Sequence, residues 1–95
     1  MELYRWDEEK NRKLIRERNV SFEEIVFCIE QGQLLDLLQP EQERYKHQKQ
    51  FVVEVRGYIY LVPFVSTGDE IFLKTIIPSR KLTRRYLDLG GTNDA

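Results

Sequence analysis

The sequence predicts an α+β domain in which helices pack on one side of an antiparallel β-sheet. Residues 51–77 hold three consecutive strand patterns separated by turn residues. Residues 7–31 hold two helix patterns with strong start signals, and residues 80–87 hold a third helix pattern. With 95 residues, 41% of them hydrophobic, the chain is long enough to bury one core without disulfides or metal.

One domain, residues 1–89, accounts for nearly the whole chain, and residues 90–95 are expected to form a loose tail. The single cysteine, Cys28, lies in an apolar run and is interpreted as a buried core residue rather than a catalytic thiol. No apolar run approaches the roughly 20 residues of a membrane span. The first residues also lack the apolar region of a signal peptide, so we expect a cytoplasmic protein without membrane contact.

Charge is divided along the chain. The net charge is -1, but residues 1–43 hold six Lys or Arg against eleven Asp or Glu, whereas residues 44–95 hold nine against five. If folding keeps the two halves on different sides, the basic half presents a face that attracts a polyanion such as nucleic acid. The alternative is that the charges intermix once the chain folds.

The first two strand patterns are joined by a tight turn. Residues 51–56 alternate between apolar and charged positions, as expected of a half-buried strand, and Gly57 permits the reversal. Residues 58–65 are apolar or aromatic at every position except Pro63, so both faces should be covered, as in a central strand. Because proline cannot donate to the ladder, we place Pro63 at a bulge or beyond the end of pairing.

The third strand pattern, residues 70–77, follows a hairpin loop at residues 66–69 that contains Gly and Asp. One face of this strand carries Phe72, Lys74 and Ile76. Lys74 is therefore a cation on an otherwise apolar strand face.

Start and stop signals divide the first half of the chain into two helices. Asp7 can cap a helix that runs to about residue 18, and Asn19 is a plausible left-handed stop. Ser21 begins a capping box for a second helix, residues 22–31, which Gly32 ends. The inner side of this second helix is predicted to consist of Phe22, Ile25, Val26, Cys28 and Ile29.

Three remaining segments connect these elements. Residues 2–6 are predicted to form a short strand at the edge of the sheet. Residues 33–38 hold four leucines and fit either a strand or a further helical turn, of which we favour the strand. Residues 40–50 read as a polar loop that carries a second basic cluster, including Lys46, His47 and Lys49.

The most basic segment directly follows the third strand. Ser79 can cap a short helix, residues 80–87, whose packing side chains include Leu82 and Tyr86. Cations near a C-terminal helix end offset the helix dipole, so a solvated helix accounts for such a pattern without any ligand. The four cations of this helix are Arg80, Lys81, Arg84 and Arg85.

No metal cluster, phosphate-binding glycine loop or serine nucleophile motif is visible, and no cofactor is expected. The candidate site therefore consists of cations and aromatic residues around the sheet. If Lys74, Arg80 and Arg84 bind a phosphodiester, they should converge on one groove. Arginines can stabilise the developing charge, while a tyrosine, lysine or histidine can move the proton of a 2′-hydroxyl.

Several short motifs follow one another in a distinctive order. They are Trp6-Asp7-Glu8-Glu9-Lys10, Val20-Ser21-Phe22-Glu23-Glu24, Glu43-Arg44, Gly68-Asp69, and a closing Ile-Ile-x-x-Arg with Arg-Arg-Tyr. Their order and spacing over residues 4–87 resemble the BrnT family of bacterial toxins, which are ribonucleases of toxin–antitoxin pairs with a RelE-like fold. The resemblance implies a metal-independent endoribonuclease whose partners are RNA and a cognate antitoxin protein.

The resemblance also implies roles for individual residues. Tyr86 resembles the C-terminal tyrosine that RelE-like nucleases use, and Trp6, Asp7 and Lys10 correspond to the family's WD-x-x-K motif. The implied catalytic residues are Lys74, Arg80, Arg84 and Tyr86. The implied RNA-binding residues are Lys10, Lys46, His47, Lys49, Lys81 and Arg85.

The chain departs from the family pattern at several positions. Leu14 and Arg18 stand where the family has an Asn and a His, and Ser79 belongs to a Pro-Ser-Arg sequence where the family has Ser-Ala-Arg. These departures favour an alternative function, a catalytically silent binding module for a protein partner or nucleic acid. The sequence leaves open whether the chain forms a homo-oligomer.

Overall fold

The computed structural model describes residues 3–39 and 49–87. The predicted α+β class is confirmed. The predicted tail and most of the predicted polar loop, with Lys46 and His47, lie outside the described residues. The elements in chain order are β1 (Leu3–Arg5), α1 (Glu8–Arg18), α2 (Phe22–Glu30), β2 (Leu34–Leu38), β3 (Lys49–Val55), β4 (Tyr58–Thr67), β5 (Glu70–Leu73), β6 (Ile77–Pro78) and α3 (Arg80–Leu87).

The sheet is antiparallel except at one edge. Its strand order is β1-β5-β4-β3-β2, and β6 pairs with the first half of β4. In the part of the chain that the structure describes, β1 with β5 is the one parallel pair, so β1 extends the sheet edge as predicted for residues 2–6. β2 pairs with β3 at the other edge, which confirms the strand for residues 33–38 and rejects the helical turn.

Local signals position α1 and α2 as predicted. The Asp7 carboxylate accepts a hydrogen bond from the backbone N–H two residues on at 3.1 Å, and Asn19 ends α1 in the left-handed region with φ 55°. The Ser21 hydroxyl accepts a hydrogen bond from the backbone N–H three residues on at 3.0 Å. Gly32, at φ 87°, ends α2, and the amide after it donates to the Cys28 carbonyl, which closes the last turn.

The turns between the central strands also lie where the residue types predict them. Arg56 and Gly57 form a two-residue hairpin turn with φ values of 50° and 78°, a geometry that matches the twist of the flanking strands. The next turn is Gly68-Asp69, and β4 runs to Thr67, two residues beyond the predicted end.

The core lies between one sheet face and the pair α1 and α2. Leu14, Phe22 and Ile25 pack against alternate residues of β3, β4 and β5. The rings of Phe51 and Phe64 stack on neighbouring strands with centroids 4.0 Å apart. The predicted inner side of α2 is confirmed, since its Phe, first Ile and Cys are buried, and Val26 and Ile29 are half-buried against the same core.

Asn11 is a buried polar residue that the apolar pattern of α1 does not reveal. Its side chain is 2% exposed, and its oxygen accepts a hydrogen bond from the Phe22 backbone N–H at 2.8 Å. Its amide nitrogen donates to the Glu23 carboxylate at 2.7 Å. Asn11 therefore joins α1 to the first turn of α2, where a helix has no backbone partner for its N–H groups.

α3 crosses the opposite face of the sheet, which corrects the expectation that all helices lie on one side. At its start the Ser79 N–H donates to the Ile59 carbonyl at 2.9 Å, and the Thr83 hydroxyl accepts from the Ile59 N–H at 2.8 Å. At its end the Tyr86 hydroxyl donates to the Asp36 carboxylate on β2 at 3.1 Å. The helix thus runs from the edge of β4 across β3 to β2.

The strand register identifies the face that α3 covers. Asp36 lies opposite Val52, so their side chains share one face. Val52 and Ile59 are fully buried, although they alternate with the side chains that face α1 and α2. The almost continuous apolar character of residues 58–65 is explained by this second covered face.

The predicted third strand, residues 70–77, is broken into β5 and β6. Between its pairs with β6 and β5, β4 has two residues, 62 and 63. The segment that connects β5 to β6 has three, residues 74–76, so it carries one extra residue, which is a bulge. The bulge lies beside Pro63, which has no N–H to donate and whose carbonyl accepts from the Lys74 N–H at 2.8 Å. The predicted bulge is therefore confirmed, and the prediction of a single unbroken strand is wrong.

The bulge changes where side chains of this segment point. Ile76, predicted to share a face with Lys74, is fully buried in the core beneath α1 and α2. Lys74 itself follows the end of β5 and is exposed. It therefore lies in the bulge rather than within a strand.

Candidate nucleic-acid interface

The solvent side of α3 carries four exposed cations. Its inner side consists of half-buried Leu82, Thr83 and Leu87, together with Tyr86. At 3.6 residues per turn, the four cations span one continuous arc of about 140° on the other side of the helix. Within residues 3–39 and 49–87, none of these four side chains forms an ion pair. The α3 cations are the exposed side chains Arg80, Lys81, Arg84 and Arg85.

Lys74 lies on the same face of the sheet as α3. Its N–H donates to the Pro63 carbonyl, so Lys74 lies opposite Pro63, the next residue along from the pair of Phe64 with Leu73. Pro63 alternates with Phe64 along β4, and its side chain therefore shares the face of Val65. Phe72 is opposite Val65, whose side chain shares the face of Ile59. Lys74 and the α3 cations can converge only if they share this face. That they line one common groove stays a prediction.

Two other predicted RNA-binding residues lie on the α1 and α2 side of the sheet. Lys49 is opposite Phe64, a side chain of the core beneath those helices. Lys10 is half-buried on α1. Neither shares a face with α3, so the predicted set divides between the two sides of the sheet.

The other members of the WD-x-x-K correspondence have structural contacts. The Trp6 ring stacks on Phe22 with centroids 5.7 Å apart, and its indole N–H donates to Glu8 at 3.1 Å. Asp7 caps α1. These contacts give Trp6 and Asp7 structural roles at the start of α1.

Tyr86 is held by a carboxylate that the sequence analysis did not single out. The hydrogen bond to Asp36 raises the pKa of Tyr86 above its usual value, burial and the Asp36 charge raise it further, and the Arg85 charge opposes them. Tyr86 is therefore protonated at neutral pH and is suited to donate a proton rather than to accept one. Its side chain is 38% exposed, which leaves the hydroxyl end within reach of solvent.

Beside α3, part of the same sheet face is left uncovered by the described helices. Phe72 is 41% exposed and Leu3 is 52% exposed. Arg5 is opposite Phe72 and pairs with Glu70 at 3.6 Å. We call this region the open sheet surface, and it consists of Leu3, Arg5, Val65, Phe72 and Lys74. The sequence pattern placed Phe72 beside Lys74 but did not indicate that its ring is exposed.

A shallow depression of about 220 Å³ lies away from these residues, at the corner between α1 and α2. Arg56 borders it, bonding through one terminal nitrogen to the Asn19 carbonyl at 2.7 Å and through the other to the Glu24 carboxylate. None of the predicted site residues lines it. Its lining is Ile15, Asn19, Val20, Ser21, Glu24 and Arg56.

Other kinds of site find little support in the part of the chain that the structure describes. It contains no group of three or more His, Cys, Asp or Glu residues placed to hold a metal ion. Burial raises the pKa of the Cys28 thiol, followed by the charge of Glu24, so the group is a thiol at neutral pH. No helix in these residues is long and apolar enough to cross a membrane.

No protein-family model and no curated protein matches the chain. The resemblance to BrnT toxins therefore remains a prediction from the motifs. The geometry and charge of the α3 side of the sheet are the remaining basis for inferring function.

Proposed function

We propose that the protein binds RNA through the α3 cations and cleaves it as a metal-independent endoribonuclease, the toxin of a toxin–antitoxin pair. The observation that carries the proposal is the arc of four exposed cations on α3, unpaired within the described residues. An arc of this kind favours a phosphodiester backbone, because each phosphate contact releases condensed counterions. Lys74 adds a fifth positive charge on the same sheet face.

The residues on this face can divide the steps of RNA cleavage. In the proposed reaction the 2′-oxygen attacks phosphorus, the bond to the 5′-oxygen breaks, and a 2′,3′-cyclic phosphate forms. Arg80 and Arg84 stabilise the charge that develops on the phosphoryl oxygens. Asp36 accepts the proton of the 2′-hydroxyl, and Tyr86, which is protonated, gives a proton to the departing 5′-oxygen.

Product analysis tests the proposed reaction. We expect the purified protein to cleave a long single-stranded transcript of mixed sequence in the presence of EDTA, leaving 2′,3′-cyclic or 3′-phosphate ends. A 2′-deoxy substitution at the mapped scissile nucleotide should block cleavage there, since the attacking oxygen is removed. Products with 5′-phosphate ends, or activity that EDTA abolishes, would contradict the mechanism.

A catalytically silent binding module is the second candidate. Leu14 and Arg18 occupy the positions where BrnT toxins have an Asn and a His, and both have structural contacts here. Leu14 is buried in the core, and the Arg18 guanidinium donates to the Ile76 carbonyl. A folded protein that binds RNA or a neighbour-encoded protein, but neither cleaves RNA nor arrests growth, would favour this module.

Binding by α3 should depend on salt in a way that a single substitution changes. We expect Arg84→Ala to weaken binding to single-stranded RNA and to reduce the slope of log affinity against log salt by about 0.7, the value for one phosphate contact. Fluorescence anisotropy of a labelled RNA at several salt concentrations measures both quantities. Arg12→Ala, an exposed arginine on α1, is the matched control and should leave the slope unchanged. If Arg84→Ala and Arg12→Ala have equal slopes of log affinity against log salt, the RNA does not contact Arg84.

A further inference from the structure

Phe72 is an exposed aromatic ring in the middle of the open sheet surface. It lies on β5 between β1 and β4, where its cross-strand neighbours are Arg5 and Val65. Burial of such a side chain would stabilise the fold, yet α3 covers only the neighbouring part of this face and Phe72 stays 41% exposed. The ring is therefore held in place by the sheet and presented to solvent.

Cations lie beside the Phe72 ring both along the chain and across the neighbouring strand. Lys74 follows two residues later on the same face and has no ion pair among the residues described. Arg5 lies across from the ring, and its pair with Glu70 joins two half-exposed side chains at 3.6 Å. An exposed pair of this kind contributes little, so a phosphate can replace Glu70 at small cost.

Charge on this side of the protein favours an anionic ligand. Within residues 3–39 and 49–87, its strands and α3 carry three carboxylates, those of Asp36, Glu54 and Glu70, placed there by strand register. The same elements together with the bulge, residues 74–76, which adds no carboxylate, carry six cations on this side, so these described residues have a net charge of +3. These cations are Arg5, Lys74, Arg80, Lys81, Arg84 and Arg85.

We propose that Phe72 stacks on an unpaired base of single-stranded RNA whose phosphates contact Lys74 and the α3 cations. An exposed aromatic ring on a sheet, with cations beside it, suits this ligand because every base offers a flat face for stacking. In a duplex those faces are covered by neighbouring bases, so the site selects single strands. The inference rests on the proposed RNA binding and adds the substrate class and the residue that selects it.

Substitutions at Phe72 test the stacking contact without disturbing the core, because the ring is exposed. The measurement is the affinity of the full chain for a labelled single-stranded RNA of mixed sequence and for the same RNA annealed to its complement. We expect Phe72→Leu, which keeps an apolar side chain, to weaken single-strand binding by about 5- to 150-fold. Phe72→Trp should retain the affinity, and neither change should alter the weaker binding of the duplex.

Separate outcomes distinguish this proposal from the proposed function. Equal single-strand affinity of Phe72→Leu and the wild type, while Arg84→Ala binds more weakly, would overturn the stacking role and leave RNA binding by α3 intact. Wild-type protein that binds neither the single-stranded RNA nor the duplex would overturn both the stacking proposal and the proposed function. Loss of a complex with a neighbour-encoded protein in Phe72→Leu, with RNA affinity unchanged, would assign the open sheet surface to a protein and also overturn the stacking proposal.

Discussion

Replacing Arg80 with alanine should slow RNA cleavage by a factor on the order of 100 or more, the range found when one transition-state charge stabiliser is removed. Arg80 is the first residue of α3 and is exposed, so the change removes a guanidinium without opening the core. The measurement is the single-turnover rate at saturating protein, which separates the chemical step from RNA binding.

Two further variants serve as controls for Arg80→Ala. Arg80→Lys keeps the charge but loses the paired donors of a guanidinium, and should recover only part of the rate. Arg12→Ala removes an exposed arginine from α1 and should cleave at the wild-type rate. If Arg80→Ala and Arg12→Ala cleave equally fast, Arg80 does not touch the reacting phosphate, and the proposed site is wrong.

Replacing Ile25 with alanine should lower the free energy of unfolding by about 2–5 kcal/mol. Ile25 is fully buried between α2 and the sheet, in contact with the core that α1 and α2 share. The substitution removes three carbon atoms there and leaves a cavity that the surrounding strands cannot fill. Urea unfolding followed by circular dichroism measures the change.

Ile15→Ala provides the matched control for Ile25→Ala. Ile15 is the same residue type on the neighbouring helix but is 44% exposed, so its loss should cost much less. A variant Ile25→Ala as stable as the wild type would mean that α2 does not pack on the sheet. The arrangement of α1 and α2 described above would then be wrong.

Much of the fold was predictable because its signals are local. Asp7, Ser21 and Gly57 act within a few residues of themselves, through caps and turn backbone that follow from residue type. Each prediction made from such a signal agrees with the structure. The long-range features were less accessible, because they depend on which elements meet after folding.

Three particulars show what local patterns do not contain. The amphipathic pattern of residues 80–87 predicts a buried side for α3 but not which sheet face that side covers. Pro63 predicts a bulge, but only the strand pairing reveals that the extra residue lies in the segment between β5 and β6. This extra residue directs the Ile76 side chain into the core. Asn11 reads as an ordinary polar position because its partner, Phe22, is eleven residues away.

The candidate site was predictable to a similar extent. The α3 cations are visible in the sequence as a basic helix, and the structure adds their uninterrupted arc. The division of Lys10 and Lys49 from this arc depends on helix placement and strand register, which residue spacing does not define. Asp36 and Phe72 become candidates only through a contact across the sheet and through solvent exposure.

The bond from Arg56 to the Asn19 carbonyl has a consequence for how the molecule opens. Among the described residues, these two are the non-glycine residues with positive φ. Asn19 ends α1 and Arg56 begins the turn between β3 and β4, and the bond between them joins these two sites at one corner of the fold. The hairpin between β3 and β4 cannot move away from the junction of α1 and α2 without breaking the bonds of Arg56 to Asn19 and Glu24. We therefore expect the amides of these two segments, 37 residues apart in the chain, to exchange with solvent together rather than independently, which native-state hydrogen exchange measures.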